Sequence, residues 1–184
     1  MKFFKDNGSM IIRFIITHIG MSVFGLVMFF TTNMQGNTIM LLATLFSAVF
    51  YCVIVYTTMW EYGAKDKPAY DAGRRFGAGK CGFFTALSAE AIWIVLALLY
   101  LICSYISSDA SLICYTVLFL SDSCFTGIEV FIKNGVLKDS SLTPYMIAGT
   151  YIIGSLLVSV VSAFGYVLGS KDITIIPKKS TAKK

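Results

Sequence analysis

SLICYTVLFLSDSCFTGIEVFIK, residues 111–133, begins as an apolar run and then breaks. Its first half reads as part of a membrane crossing, but Ser121-Asp122-Ser123 interrupts it, and Gly127 and Glu129 follow. A straight helix through this stretch would place Asp122 near mid-membrane, at a cost of about 2.5–3.5 kcal/mol on insertion scales. Whether the chain crosses four or five times therefore turns on this one segment.

Charge on either side gives an independent test. Lys2, Lys5 and Arg13 flank the first apolar run; Lys65, Lys67, Arg74, Arg75 and Lys80 lie between the second and third; Lys171, Lys178, Lys179, Lys183 and Lys184 follow the last. Four crossings put all three basic groups on the cytoplasmic side and leave Asp109, Asp122, Glu129 and Asp139 outside with Lys133 and Lys138. Five would send the basic tail outside, against the positive-inside rule. Residues 111–133 are thus predicted to be a re-entrant or interfacial element on the outer side, with five spans as the alternative.

The rest of the chain fits that plan. It has 184 residues, 57% hydrophobic and only 14% charged, where a soluble domain carries about 25% charge; mean hydropathy is +0.76. Apolar runs of about 20 residues match a hydrocarbon core roughly 30 Å thick. The expected fold is an all-α membrane protein, one membrane domain over 1–184, with spans at about 10–31, 38–60, 81–104 and 145–168. These make two antiparallel hairpins, followed by a basic cytoplasmic tail at 170–184. The protein is expected in the cell membrane, multi-pass, with both termini cytoplasmic. The N-terminal apolar run exceeds a 7–15-residue signal h-region and lacks an A-x-A-like site, so it reads as the first permanent span.

The net charge of +5 belongs to span ends and tail, which points to membrane lipids as partners and not to nucleic acid. Lys65, Lys67, Arg74, Arg75 and Lys171 are expected to form one lipid-headgroup patch at the inner leaflet. Trp60, Tyr62 and Tyr166 fit an inner aromatic belt, and Tyr100, Tyr105 and Tyr145 an outer one.

The second and last spans end in similar words, Y-G-A-K-D at residues 62–66 and L-G-S-K-D at 168–172. Two hairpins of like topology could form a parallel repeat. The plainer reading is Gly capping with a Lys at the helix end, Gly169 serving as the C′ residue.

Chemistry is sparse. Residues 73–81, GRRFGAGKC, superficially echo a phosphate-binding loop, but Arg74 stands where its first Gly is needed and Cys81 replaces the Mg²⁺-binding hydroxyl. The five cysteines show no metal-ligand spacing. They read as reduced, small apolar residues, with a Cys103–Cys114 or Cys114–Cys124 disulfide left open. No triad, H-E-x-x-H or aspartate pair is present, so no enzymatic activity, metal or cofactor is expected.

The sharper pair is His18, the chain's only histidine, and Glu90, the acid well inside the third span. Counted from the cytoplasmic ends of their spans at 1.5 Å per residue, both lie about 12–14 Å deep. Ionisable groups at that depth are by default a functional-site hypothesis. Three readings stay open: a proton or cation site, an interhelical hydrogen bond that only holds helices together, or no contact at all. Ala86, Glu90, Trp93, Ala97, Tyr100 and Ser104 share one helical stripe; Ser155, Ser159 and Ser162 share another, with Gly165 and Gly169 nearby. Gly20, Ser22 and Gly25 lie near His18 along the first span. Packing of small residues is the first explanation for these stripes, and a narrow wet path the second.

The W-E-Y-G-A-K-D joint (residues 60–66) and the I-G-M-S-V-F-G-L stretch (19–26) resemble a family of small four-span integral membrane proteins of Lys-rich bacterial proteomes. The resemblance brings no known activity and transfers no site. Two functions remain. One is a small transport or channel-type protein, oligomeric if it forms a pore, using the His18–Glu90 level. The other is an accessory or immunity-type module that binds another membrane protein through its small-residue faces and the 111–133 element.

Overall fold

The computed structural model describes residues 2–73, 77–133 and 142–173. Six α-helices follow in order: α1 Lys2–Thr32, α2 Asn37–Asp71, α3 Ala78–Ile106, α4 Ser108–Ser121, α5 Thr126–Phe131 and α6 Thr143–Ser170. Among the described residues there are no strands. Helices α1, α2, α3 and α6 are long and apolar enough to cross a membrane. This is an all-α, multi-pass membrane fold.

A short 3₁₀ turn, Asn33–Gln35, closes α1 onto α2 as the first antiparallel hairpin. Gly36 follows at φ 109°, a conformation that L side chains rarely adopt. Helices α3 and α6 make the second, with Ser162 Oγ donating to the Gly82 carbonyl at 2.9 Å and Ser155 facing Glu90. Helices α2 and α6 run in the same direction and approach closely. Gly63 lies against the Tyr166 carbonyl, Gly165 against the backbone of Tyr56, and Gly169 against the Trp60 carbonyl, so a Cβ at any of the three would meet backbone. Small residues permit such approach where lipid gives helices no hydrophobic reason to associate.

This contact corrects two expectations. The second helix does not stop near Trp60 but continues to Asp71, through Gly63 and Pro68. Gly63 is there for proximity to α6, and is no cap. Nor is Gly169 the C′ residue. Helix α6 runs to Ser170, and Asp172 takes the left-handed turn at φ 57°. The amides of Asp172 and Ile173 donate to the Gly169 and Leu168 carbonyls at 2.9 Å each, a Schellman end. The two G-x-K-D segments therefore pack on one another instead of acting as equivalent caps. Lys67 Nζ stands 3.7 Å from Asp172, and Tyr166 donates to Asp66.

Residues 111–133 are not one straight helix. Ser107, with extended backbone, caps α4, which runs back alongside α3 for 14 residues, about 21 Å. It stops at Asp122, and after a four-residue elbow α5 turns away again. The elbow is seated by small residues: at Gly25 a Cβ would lie 2.7 Å from Ser123, and at Gly154 it would lie 2.8 Å from the Phe125 ring. Gly127 rests on Thr44. The sequence-based reading is a re-entrant or interfacial element, and the chain here breaks into two helices joined by an elbow. The boundaries differ, with the return limb reduced to six residues.

Candidate functional site

The elbow brings a third ionisable group to the pair singled out from sequence. His18 projects from the middle of α1 and is fully buried. Its Nδ1 lies 3.0 Å from Glu90 Oε1 and 2.9 Å from the Tyr51 hydroxyl of α2. Its Nε2, on the opposite edge of the ring, lies 3.5 Å from Asp122 Oδ1. One imidazole thus stands between two carboxylates carried by different elements.

Each partner is held in turn. Tyr51 donates to Glu90 Oε1 at 2.8 Å, and Ser155 of α6 donates to Oε2 at 3.1 Å. With His18, these are three donors converging on one carboxylate, within its acceptor capacity of about four lone-pair sites. If Tyr51 gives its single proton to Glu90, Nδ1 must carry a hydrogen, and the tautomer is set. Trp93, one turn beyond Glu90 on α3, stacks on the imidazole at 3.7 Å between centroids, and Tyr51 meets it edge-on at 5.4 Å. Helices α1, α2, α3 and α6 each contribute one face of this cage.

The elbow is pinned through its backbone. The Ser121 carbonyl accepts from Trp93 Nε1 at 3.0 Å and from Ser22 Oγ at 2.6 Å. Ser123 Oγ donates to the Ser22 carbonyl at 2.6 Å, and Cys124 Sγ to the Met21 carbonyl at 3.1 Å. Asp122 is different. It is fully buried, yet neither carboxylate oxygen has a hydrogen-bond partner among the described residues, and the same holds for His18 Nε2.

A buried carboxylate without donors is expensive when charged. The three groups are cheapest when their charges cancel. One carboxylate, an imidazolium and one carboxylic acid carry no net charge; so do two carboxylic acids and a neutral imidazole. The two states hold the same number of protons and differ only in where those protons sit. A metal is poorly served by this geometry, because the carboxylates lie on opposite edges of the ring. Among the described residues no group of three or more His, Cys, Asp or Glu side chains is arranged to hold a metal ion.

His18 and Glu90 were brought together in the sequence by depth alone, and the structure places them in contact. Tyr51 and Asp122 were not. The signal for Tyr51 was there: Thr44, Ser47 and Tyr51 recur at three- to four-residue spacing along α2, all buried. Asp122 could have been found by counting down α4 from its cap, since its depth matches that of Glu90 counted back from Ile106.

Other sequence candidates resolve differently. Ser155, Ser159 and Ser162 are buried inside the bundle, so their stripe offers no face to a partner protein. Gly20 has open space beside it, away from the cage. Lys65, Lys67 and Lys171 gather at the end where α2 and α6 finish. Lys65 lies 5.4 Å over the Tyr62 ring and Lys67 pairs with Asp172. Arg74 and Arg75, assigned to the same patch, lie outside the described residues. Tyr166 is fully buried and Tyr100 nearly so, so neither is a belt residue; Tyr105 and Tyr145, exposed and 5.9 Å apart, fit that role. Comparison with family models, with curated proteins and with solved structures gives no match.

Proposed function

We propose that this chain is a small membrane transport protein that moves protons, or couples their movement to a solute, at the His18–Glu90–Asp122 cluster. The observation that carries the reading is the imidazole held between two buried carboxylates, one of them delivered by the α4–α5 elbow. Proton transfer needs no open pore, which suits side chains that are 0–1% exposed. It needs a chain of groups that exchange protons without changing net charge, and these three supply it. Ionisable residues inside a membrane commonly form such relays. Basic residues at the α2 and α6 ends would hold that side at an anionic inner leaflet, with both termini cytoplasmic.

The test is proton flux into liposomes carrying a trapped pH dye, driven by a potassium-diffusion potential. The natural chain should acidify or alkalinise the lumen well above protein-free vesicles. His18→Gln, Glu90→Gln and Asp122→Asn should each lower the rate at least tenfold. Rates in all three variants equal to that of the natural chain would remove the site, and no flux above empty vesicles would remove the proton reading.

One observation favours the second function, binding of another membrane protein. An apolar groove of about 560 Å³ lies between α2 and α6, walled by Leu45, Val49, Val53 and Leu157 and floored by Phe125 and Ile128. A photo-crosslinker at Val49 should then give one defined protein adduct in native membranes. Labelling of lipid alone would reject this reading.

A further inference from the structure

The α4–α5 hairpin carries a second buried acid that the midplane cluster does not use. Glu129, on α5, is 1% exposed. Its carboxylate accepts from the Tyr115 hydroxyl of α4 at 3.0 and 3.2 Å and from the Tyr151 hydroxyl of α6 at 3.3 Å. Tyr151 is also 3.2 Å from Thr126 Oγ1, with either atom able to donate. Lys133, one turn further on, places Nζ 5.6 Å from the Tyr115 ring. From α3, the Tyr100 ring lies tilted against Tyr115, 5.9 Å between centroids. From α2, Thr44 packs beside Gly127 and brings no charge.

On the far side of Tyr115 lies a cleft of about 340 Å³ at the α3–α4 bend, walled by Ser108, Asp109, Ser111, Tyr115 and Lys133. A single phenol thus separates a polar cleft from a buried carboxylate. In the other direction Glu129 leads to Tyr151 and on to Thr126, at the foot of the elbow that carries Asp122. Thr126, hydrogen-bonded to Tyr151, opens α5 just four residues after Asp122.

We propose that Glu129 is the proton-collecting acid of this protein, taking protons from the cleft through Tyr115 and passing them by way of Tyr151 and the elbow to Asp122 and His18. The inference rests on the proton reading of the midplane cluster and names the route that supplies it. The transfer balances. A hydronium ion or buffer acid in the cleft gives a proton to the Tyr115 oxygen as the Tyr115 O–H bond breaks towards Glu129. One carboxylic acid forms, the phenol is regenerated, and no electron moves. Phenol oxygen serves both as donor and as acceptor, which the step requires. Lys133 and Asp109, of opposite sign at the cleft wall, leave it without a strong bias against incoming cations.

Trp93 gives a direct readout, because it stacks on His18 and imidazolium quenches indole emission. The chain has two tryptophans, so Trp60→Phe leaves Trp93 as the sole reporter. In this background, reconstituted in lipid nanodiscs, a rapid drop in pH should quench emission in one fast phase. Glu129→Gln and Tyr115→Phe should slow that phase at least tenfold without changing its final amplitude. Tyr115→Phe keeps the ring and removes only the relaying hydroxyl, so it stands as the check if Glu129→Gln misfolds.

Unchanged rates in both variants would overturn the inlet, as would a Trp93 signal that does not respond to pH in the parent. The flux measurement separates this from the transport reading. Slowed quenching with no vesicle flux would leave the inlet standing and reject transport. Flux that needs Asp122, with quenching indifferent to Glu129 and Tyr115, would do the reverse.

Discussion

At the scale of single residues, the balance at Glu90 is between desolvation and the donors assembled around it. Leaving a buried charge unpaired typically costs 3–5 kcal/mol. Three donors offset that here, and they differ in consequence. His18 and Tyr51 share Oε1, whereas Ser155 alone serves Oε2. Interhelical hydrogen bonds of this kind contribute about 0.6 kcal/mol on average in membranes and up to about 1.7 kcal/mol. Ser155→Ala is therefore expected to lower stability by roughly 0.5–2 kcal/mol, measured by unfolding in mixed micelles. It should leave the pH response of Trp93 in place, because His18 keeps both carboxylates. A loss above about 4 kcal/mol would mean that Ser155 positions the whole α3–α6 pair and does more than bond one oxygen. The pairing of His18 with Glu90 was legible in sequence because a regular helix converts residue number to depth. Asp122 takes a further step, because its depth can be counted only after the chain reversal capped by Ser107 is placed.

At the scale of elements, the device that matters is the α4–α5 hairpin. Its descent is fixed by contact with α3, and a pair of thiols marks that contact. Cys103 and Cys114 are half-buried free thiols with sulfurs 3.7 Å apart, while Cys124 is buried in the elbow against Met21. Sequence spacing alone left Cys103–Cys114 and Cys114–Cys124 equally open, since α-helical lengths do not say which helix faces which. Mild oxidation with a copper–phenanthroline catalyst should crosslink Cys103 to Cys114 within the chain. The product is read as loss of two maleimide-reactive thiols, restored by reductant and absent in Cys114→Ser. Crosslinking of Cys114 to Cys124 instead would mean that α4 does not lie along α3 with its elbow at His18. The length of α2 was misjudged for a related reason. Gly63 and Pro68 are local stop signals, and the close seat on α6 outweighs them.

At the scale of the whole molecule, the bundle is asymmetric from end to end. Helix α1 begins, α2 and α6 finish, and α3 starts at one end, which carries Arg13, Lys65, Lys67, Lys80 and Lys171 among the described residues. The other end carries the uncharged 3₁₀ turn and the α3–α4 bend, with Asp109, Glu129 and Lys133. An even number of membrane-length helices returns the chain from α6 to the side on which α1 begins, and the positive-inside rule predicts that this basic side is cytoplasmic. Green fluorescent protein fused after Lys184 should then fluoresce, whereas alkaline phosphatase fused there should be inactive. The same pair fused after Lys133 should give the opposite result, because that site follows the returning limb of the hairpin. An active phosphatase at the C-terminus would require the bundle to be inverted or a fifth crossing, and a further fusion separates these. Inversion makes the phosphatase inactive at Lys133 and active at the tail. With residues 111–133 as a full crossing and the N-terminus inside, the same readings would arise, but fusion at Gln35 then tells them apart: active for five crossings, inactive for inversion. The outcome also sets the direction of the proposed proton path. With basic ends inside, the cleft at the α3–α4 bend faces outward and Glu129 loads from the exterior, so flux should depend more strongly on Glu129 when the outer compartment is the acidic one.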